Sequence, residues 1–314
     1  MFLPLLALFL FQDLTLVYSG RDHHTRVEIP RMDTTVTIDG HLDESVWSRA
    51  ARLVDFSQYQ PVDGRPSEEP TEVLVWYSGD AIYFGVRARE LHGLPGQFVN
   101  LLLRPGPLLR RPFSVHRATD GRVEILLRAV GVGTAQLIGL ALGDRVSLLG
   151  PLGTGFRLDP AWRSVALVSG GLGVAPFPIT ALAARAAGLE VGWVHGARSA
   201  ADLCIEWEGE HAIWATDDGS RGHHGSAVAA VPDGVGAVLA CGPNPMLAAV
   251  ARRWPEAQVA VETYMGCGTG VCLGCAVPKV AGGFDRACKE GPVYRAADVD
   301  WPSLPGHLHY ALGA

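Results

Sequence analysis

The sequence has no run of basic residues, few charges for its length and no apolar stretch long enough to cross a bilayer. Each shortage closes off a class of function. Charged residues make up 18% of the 314, and 26 Lys+Arg against 32 Asp+Glu leave a net charge of -6. With no basic cluster to collect phosphates, nucleic acid is excluded as an expected partner. The apolar run Phe2–Phe11 is about half the ~20 residues a spanning helix needs, so no membrane span is expected. It suits the apolar region of a secretory signal, with Tyr18-Ser19-Gly20 as a place for cleavage, yet no Lys or Arg precedes Arg21 as such a signal requires. A buried strand or helix is the other reading of that run. Cysteine is scarce too: six residues are too few for a disulfide scaffold. No period repeats, which removes collagen-like and repeat-array folds.

What is present describes a folded chain. Hydrophobic residues reach 48% and aromatic residues 8%, and the length suits roughly two domains. Glycine is in excess, with 38 residues against a usual share of roughly 7%. Most of it follows residue 90, as tight turns and ligand-cradling loops would require.

In residues 21–92, Val27–Ile29 and Thr35–Ile38 read as short strands, Asp39-Gly40 as a turn and Leu42–Trp47 as a short helix. Thr71–Tyr77 and Ala81–Ala88 flank Ser78-Gly79-Asp80, a hairpin signal. Trp47 and Trp76 are expected in the core rather than as sugar-stacking platforms. Residues 93–157 change character, with strands expected at Phe98–Leu103, Val123–Leu127 and Arg145–Leu149. Arg110-Arg111-Pro112-Phe113-Ser114 sets guanidinium and hydroxyl groups on one extended segment, a pairing that can hold a phosphate. Gly131-Val132-Gly133-Thr134 then leads into an expected helix over Ala135–Leu142, whose N-terminus would favour an anion.

Residues 158–262 alternate between the two periodicities. The buried-strand run Ser164–Val168 passes directly into Ser169-Gly170-Gly171-Leu172-Gly173, and Ile179–Ala187 reads as helix. Strands are expected at Glu190–Val194, Ala212–Ala215, Gly236–Ala240 and Val259–Val261, with a helix at Pro245–Arg253. The alternation predicts a doubly wound parallel sheet, and strand–glycine turn–helix is the context of a nucleotide-binding loop. Cys241-Gly242-Pro243 falls at the carboxyl end of a strand, where such sheets bind ligands. Thr216–Ser220 follows another strand and offers carboxylates to a ribose. Adjacent His223 and His224 point opposite ways and are read as loop residues.

The remaining cysteines carry the clearest signal. Cys267, Cys272, Cys275 and Cys288 follow the spacing C-x4-C-x2-C-x12-C, interleaved with Gly266, Gly268, Gly270 and Gly274. The first part is the plant-type [2Fe–2S] spacing, closed by a distant fourth ligand. A tetrahedral zinc site is the competing reading, although zinc ribbons favour two C-x2-C pairs and one is present. Cys204 and Cys241 stand alone in apolar surroundings.

Two resemblances follow from these motifs. The string Ile38–Trp47, with the hairpin ending in Tyr83-Phe84-Gly85-Val86, resembles the start of family 9-like carbohydrate-binding domains. It implies a partial β-sandwich over 21–92. From Leu94 nearly to Tyr294 the chain resembles the electron-transfer subunit of the NAD-dependent (class 1B) dihydroorotate dehydrogenase, in the ferredoxin-reductase superfamily. That resemblance implies FAD contacts by Arg111, Pro112, Phe113, Ser114, Leu126, Leu127, Arg128, Gly133 and Thr134. It implies NAD contacts by Gly170, Gly171, Gly173, Cys241, Gly242 and Pro243, and a [2Fe–2S] cluster on the four cysteines. It also implies a separate FMN-containing catalytic subunit as partner in a hetero-oligomer, no catalytic acid or base in this chain, and a cytoplasmic address at odds with the signal-like leader.

The expected fold class is therefore α/β plus all-β. A signal-like segment (1–20) and the partial sandwich (21–92) precede a flavin-binding barrel lacking its first strands (93–157). A nucleotide-binding domain (158–262), a cluster module (263–295) and a tail (296–314) follow. Two other functions stay open: a related flavin and iron–sulfur NAD(P)H reductase serving ferredoxin or sulfur compounds, and an exported carbohydrate-binding protein with a vestigial carboxyl half.

Overall fold

The computed structural model describes residues 16–19, 26–36, 42–58, 65–66, 71–88, 95–119, 122–205 and 212–305. The run Phe2–Phe11, the Asp39–Gly40 turn and the tail beyond 305 lie outside them. The chain divides into two compact units, Met1–Glu90 and Leu91–Ala314.

The first unit holds one four-stranded sheet in the order β1-β2-β5-β6. Its strands are β1 (Val17–Ser19), β2 (Ala51–Val54), β5 (Thr71–Tyr77) and β6 (Ile82–Ala88), and β3 (Ser57–Gln58) pairs with β4 (Arg65–Pro66) as a separate ribbon. The expected hairpin forms β5 and β6, in register from Thr71↔Ala88 to Tyr77↔Ile82. Tyr18 and Ser19 pair in parallel with Leu53 and Val54. Neither Val27–Ile29 nor Thr35–Val36 forms a strand, and beside the first of them Pro30 has no N–H to give a ladder. That segment contributes only a bridge from Arg31 to Tyr77, which drops Met32 into the core. Trp47 and Trp76 are buried beside Met32, Val46 and Leu74. Trp76 stacks on Tyr83 with ring centroids 3.9 Å apart, so neither indole is an open platform.

In the second unit, β7 (Phe98–Leu102) lies between β8 (Arg111–Ser114) and β11 (Ser147–Leu152) in an antiparallel sheet, while β9 (Arg117–Thr119) and β10 (Arg122–Glu124) form a ribbon. The strand expected over Val123–Leu127 stops at Glu124, since Leu126 turns away to pack on the neighbouring core. The helix expected over Ala135–Leu142 is α1 (Val132–Ile138), ended by Gly139. Asp144 accepts a hydrogen bond from the Ala141 N–H in the turn that follows, leaving Leu142 fully exposed.

The largest sheet has seven strands in the order β15-β14-β13-β12-β16-β17-β20. They are β12 (Ser164–Gly170), β13 (Glu190–Ala197), β14 (Ala212–Thr216), β15 (His223–His224), β16 (Ala237–Cys241), β17 (Gln258–Ala260) and β20 (Val293–Arg295). All neighbours are parallel except β17 and β20. His223 and His224 are thus a short edge strand rather than loop, held by backbone pairing to Ala215 and Thr216 while both side chains stay exposed. Alternation along β12 shows why the run reads as continuously apolar. Val165 and Leu167 face α2 (Phe177–Ala186), and Ala166 and Val168 face the side of α3 (Ala227–Ala230) and α4 (Asn244–Arg253). A sheet covered on both faces needs apolar residues on both. The hairpin β18 (Ala276–Pro278) and β19 (Phe284–Arg286) completes the set. No helix among the described residues is long and apolar enough to cross a membrane.

Candidate functional site

The four cysteines stand as two pairs. Cys275 and Cys288 are buried with their Sγ atoms 3.3 Å apart. Cys267 and Cys272 lie toward the surface, each main-chain N–H facing the other's Sγ at 3.5 and 3.4 Å. Left-handed backbone at Gly268 (φ 72°) and Gly270 (φ 82°) is the conformation glycine adopts without strain, and it turns further N–H groups inward. Thr269 N–H points at Cys267 Sγ (3.4 Å) and Gly270 N–H at Cys288 Sγ (3.1 Å). Arg286 braces the loop by donating to the Gly270 carbonyl (2.9 Å) while paired to Glu290.

Electrostatics split the pairs. Burial works against the Cys267 thiolate, but the N–H groups of Cys272 and Thr269 outweigh it and bring that thiol down to about 5. Burial, and then the neighbouring Cys275, push Cys288 up to about 12. Among the described residues no three Cys, His, Asp or Glu side chains converge on one point. Two pairs of sulfurs ringed by inward N–H groups fit the donor set of a two-iron cluster.

The expected flavin contacts come together in part. Arg111 lies over Gly133 so closely that a Cβ there would fall 2.3 Å from the Arg111 Nε. Ser114 ends the same strand, with Pro112 and Phe113 between them. Thr134 is occupied locally, accepting from the N–H groups of Val130 (2.8 Å) and Gly131 (3.1 Å) and donating to the Gly131 carbonyl. Leu126 and Leu127 lie outside any strand, and Arg128 reaches away toward Cys204 Sγ (3.7 Å) and Asp202 (4.0 Å).

The nucleotide motifs converge fully. The chain runs outward from β12 to one edge of the sheet and resumes on the other side at β16, so the switch point lies between these strands. Ligands bind there in such sheets. Gly170, Gly171 and Gly173 leave β12 at that point, and Cys241, Gly242 and Pro243 leave β16. A Cβ on Gly173 would lie 2.3 Å from the Cys241 carbonyl oxygen, so glycine is what lets the two turns touch. Cys241 is no thiolate, since burial and then Glu262 push it up to about 12. Thr216–Ser220 caps β14 on the same edge, where Ser220 hydrogen bonds to Asp218 hold that carboxyl below the usual range.

Two residues that sequence reasoning passed over tie these sites together. Asn100, buried in β7, donates from Nδ2 to the Cys267 carbonyl at 3.2 Å, and Gly268 makes room for it. A polar residue inside the apolar run Phe98–Leu102 was the available signal. At the far end of the module, Thr154 N–H donates to the Gly291 carbonyl (2.6 Å).

Residues 262–300 match the model of the iron–sulfur cluster binding domain of dihydroorotate dehydrogenase B. The electron transfer subunit of dihydroorotate dehydrogenase B (NAD(+)) from Bacillus caldolyticus is 40% identical over 224 residues, which cover 65% of this chain and 86% of that protein. The same subunit from Clostridium acetobutylicum is 36% identical over 230 residues, covering 70% and 92%. Among solved structures, the NADH-dependent reduced ferredoxin–NADP oxidoreductase, described for flavin-based electron bifurcation, superposes with a TM-score of 0.60 at 25% identity. It covers 74% of this chain and 86% of its own. The chain belongs to the family of electron transfer subunits of dihydroorotate dehydrogenase B (NAD(+)).

Proposed function

We propose that this chain relays electrons between NAD and a partner FMN-containing dihydroorotate dehydrogenase subunit, with FAD and a [2Fe–2S] cluster as its resident groups. The observation that carries the reading is the paired array of four cysteines fixed to the strand that borders the Arg111–Ser114 segment. When bound, a flavin supplies the conversion between a two-electron nicotinamide and a one-electron cluster. The residues position and insulate. Cys267 and Cys272 would hold one metal of the pair, Cys275 and Cys288 the other, and the surrounding N–H groups stabilise charge on sulfur.

Arg111, Pro112, Phe113 and Ser114, with Gly133 and Thr134, would cradle the flavin and its phosphates, and Leu126, Leu127 and Arg128 would border it. Gly170, Gly171, Gly173, Cys241, Gly242 and Pro243 would admit the nicotinamide nucleotide to the switch point. Exposed Val271 and Leu273 beside the exposed Cys272 give the cluster loop an apolar rim for the partner subunit. Substrate chemistry belongs to that partner, so no acid or base is required here.

The three-stranded sheet and the ribbon are the remains of a barrel without its first strands, and residues 21–92 correspond to part of a β-sandwich. Thiolate ligation suits a reducing cytoplasm, and the use of Tyr18 and Ser19 in β1 argues against cleavage there. The test is anaerobic purification with visible and EPR spectra, then copurification with an FMN-bearing subunit. Iron and flavin bands are expected; a colourless chain containing zinc would overturn the proposal.

A further inference from the structure

We propose that Asn100 is a positioning residue whose side-chain amide hooks the cluster loop onto the flavin-cradle strand and thereby sets the spacing of the two redox sites. This rests on the reading that the four cysteines hold [2Fe–2S] and β8 borders FAD. Asn100 is 1% exposed within Phe98–Leu102, flanked by Val99 and Leu101. An amide in such a strand is costly unless bonded. Its Nδ2 donates to the carbonyl of Cys267, a residue 167 positions away and the first cluster ligand. Among the described residues its Oδ1 has no hydrogen-bond partner, so the Nδ2 bond is what orients the side chain.

The other half of the contact is Gly268. A Cβ at that position would fall 1.9 Å from Asn100 Nδ2, a distance no packed atoms tolerate. The main chain of Asn100 meanwhile belongs to the flavin side. It stands opposite Pro112, between Arg111 and Phe113 of β8, and its carbonyl accepts from Arg110 Nη1 at 3.4 Å. One residue therefore holds the first cluster ligand through its side chain and the cradle strand through its backbone. The Thr154–Gly291 tie acts beyond Cys288, whereas Asn100 acts at the start of the ligand loop.

The test uses the full-length holoprotein carrying Asn100→Leu, Gly268→Ala or both. Asn100→Leu keeps the branching and heavy-atom count of the side chain and removes the donor; Gly268→Ala leaves Asn100 in place and displaces its amide. Two quantities are read, with flavin content as the check on folding: the rate of iron release to a chelator, and the rate of electron equilibration between flavin and cluster. Loss of an outer partner to a metal ligand typically costs about 10- to 100-fold in metal retention, so each single variant should release iron at least about tenfold faster and equilibrate more slowly. The double variant should be no worse than Gly268→Ala alone, because both changes break one contact. Wild-type rates in Asn100→Leu, or effects that multiply in the double variant, overturn the hook. Should Asn100→Leu fail to retain flavin, wild-type rates in Gly268→Ala overturn it equally. An iron-free wild-type chain would instead overturn the cysteine reading beneath it.

Discussion

His195 illustrates how a buried titratable group is made neutral by its neighbours. Its ring is 1% exposed, with Nε2 accepting from the Cys204 N–H (3.4 Å) and Nδ1 facing Ser169 Oγ at 2.9 Å, which in turn donates to the Val194 carbonyl. Both ring nitrogens are used by the neutral tautomer, and protonation would set Nε2–H against the Cys204 N–H. Burial, opposed by Ser169, lowers the imidazole to about 4. The folded value lies below the unfolded value of about 6.5, so the unfolded chain binds the extra proton and stability falls as pH drops from 6.5 toward 4. Across that window His195 should cost up to about 3 kcal/mol, which His195→Gln would abolish in urea titrations at stepped pH. At this scale the four-cysteine pattern was legible because its spacing is local. Asn100 was not, because its partner is 167 residues away and only the fold brings them together.

Elements repeat that lesson. The strands β12, β13, β14, β16 and β17, with α2 and α4, could be read from the chain because a sheet covered on both faces demands unbroken apolar runs, as at Val165–Val168. β1, β15 and β20 could not, being two or three residues long and defined by distant partners rather than by pattern. α1 was misplaced because its apolar run continues past Gly139, where the helix stops. Among the described residues β11 is the outer strand of its sheet, and Leu148 and Leu149 remain 39% and 38% exposed. Open strand edges of this kind invite pairing with other chains. Leu148→Lys should lower light scattering of concentrated protein while changing stability by less than about 0.5 kcal/mol, as surface substitutions do.

At the scale of the whole molecule, the two units have separate cores, one around Trp47 and Trp76 and others on the two faces of the large sheet. Metal that binds only folded protein stabilises the unit that holds it. Calorimetry of iron-depleted protein should therefore show the Leu91–Ala314 transition lowered by roughly 2–4 °C per kcal/mol lost, with the Met1–Glu90 transition unmoved; a joint shift would contradict this. The mixed α/β character of the chain was visible from its motifs. Hidden from them was β20, which leaves the cluster module to pair antiparallel with β17 at the edge of the nucleotide sheet. During synthesis that strand emerges after all four cysteines, so the outer edge of the sheet is sealed only once the ligand loop exists. Completion of the sheet becomes a checkpoint on the newborn chain: until the loop is made and β20 docks, β17 offers an unsealed edge to chaperones and proteases.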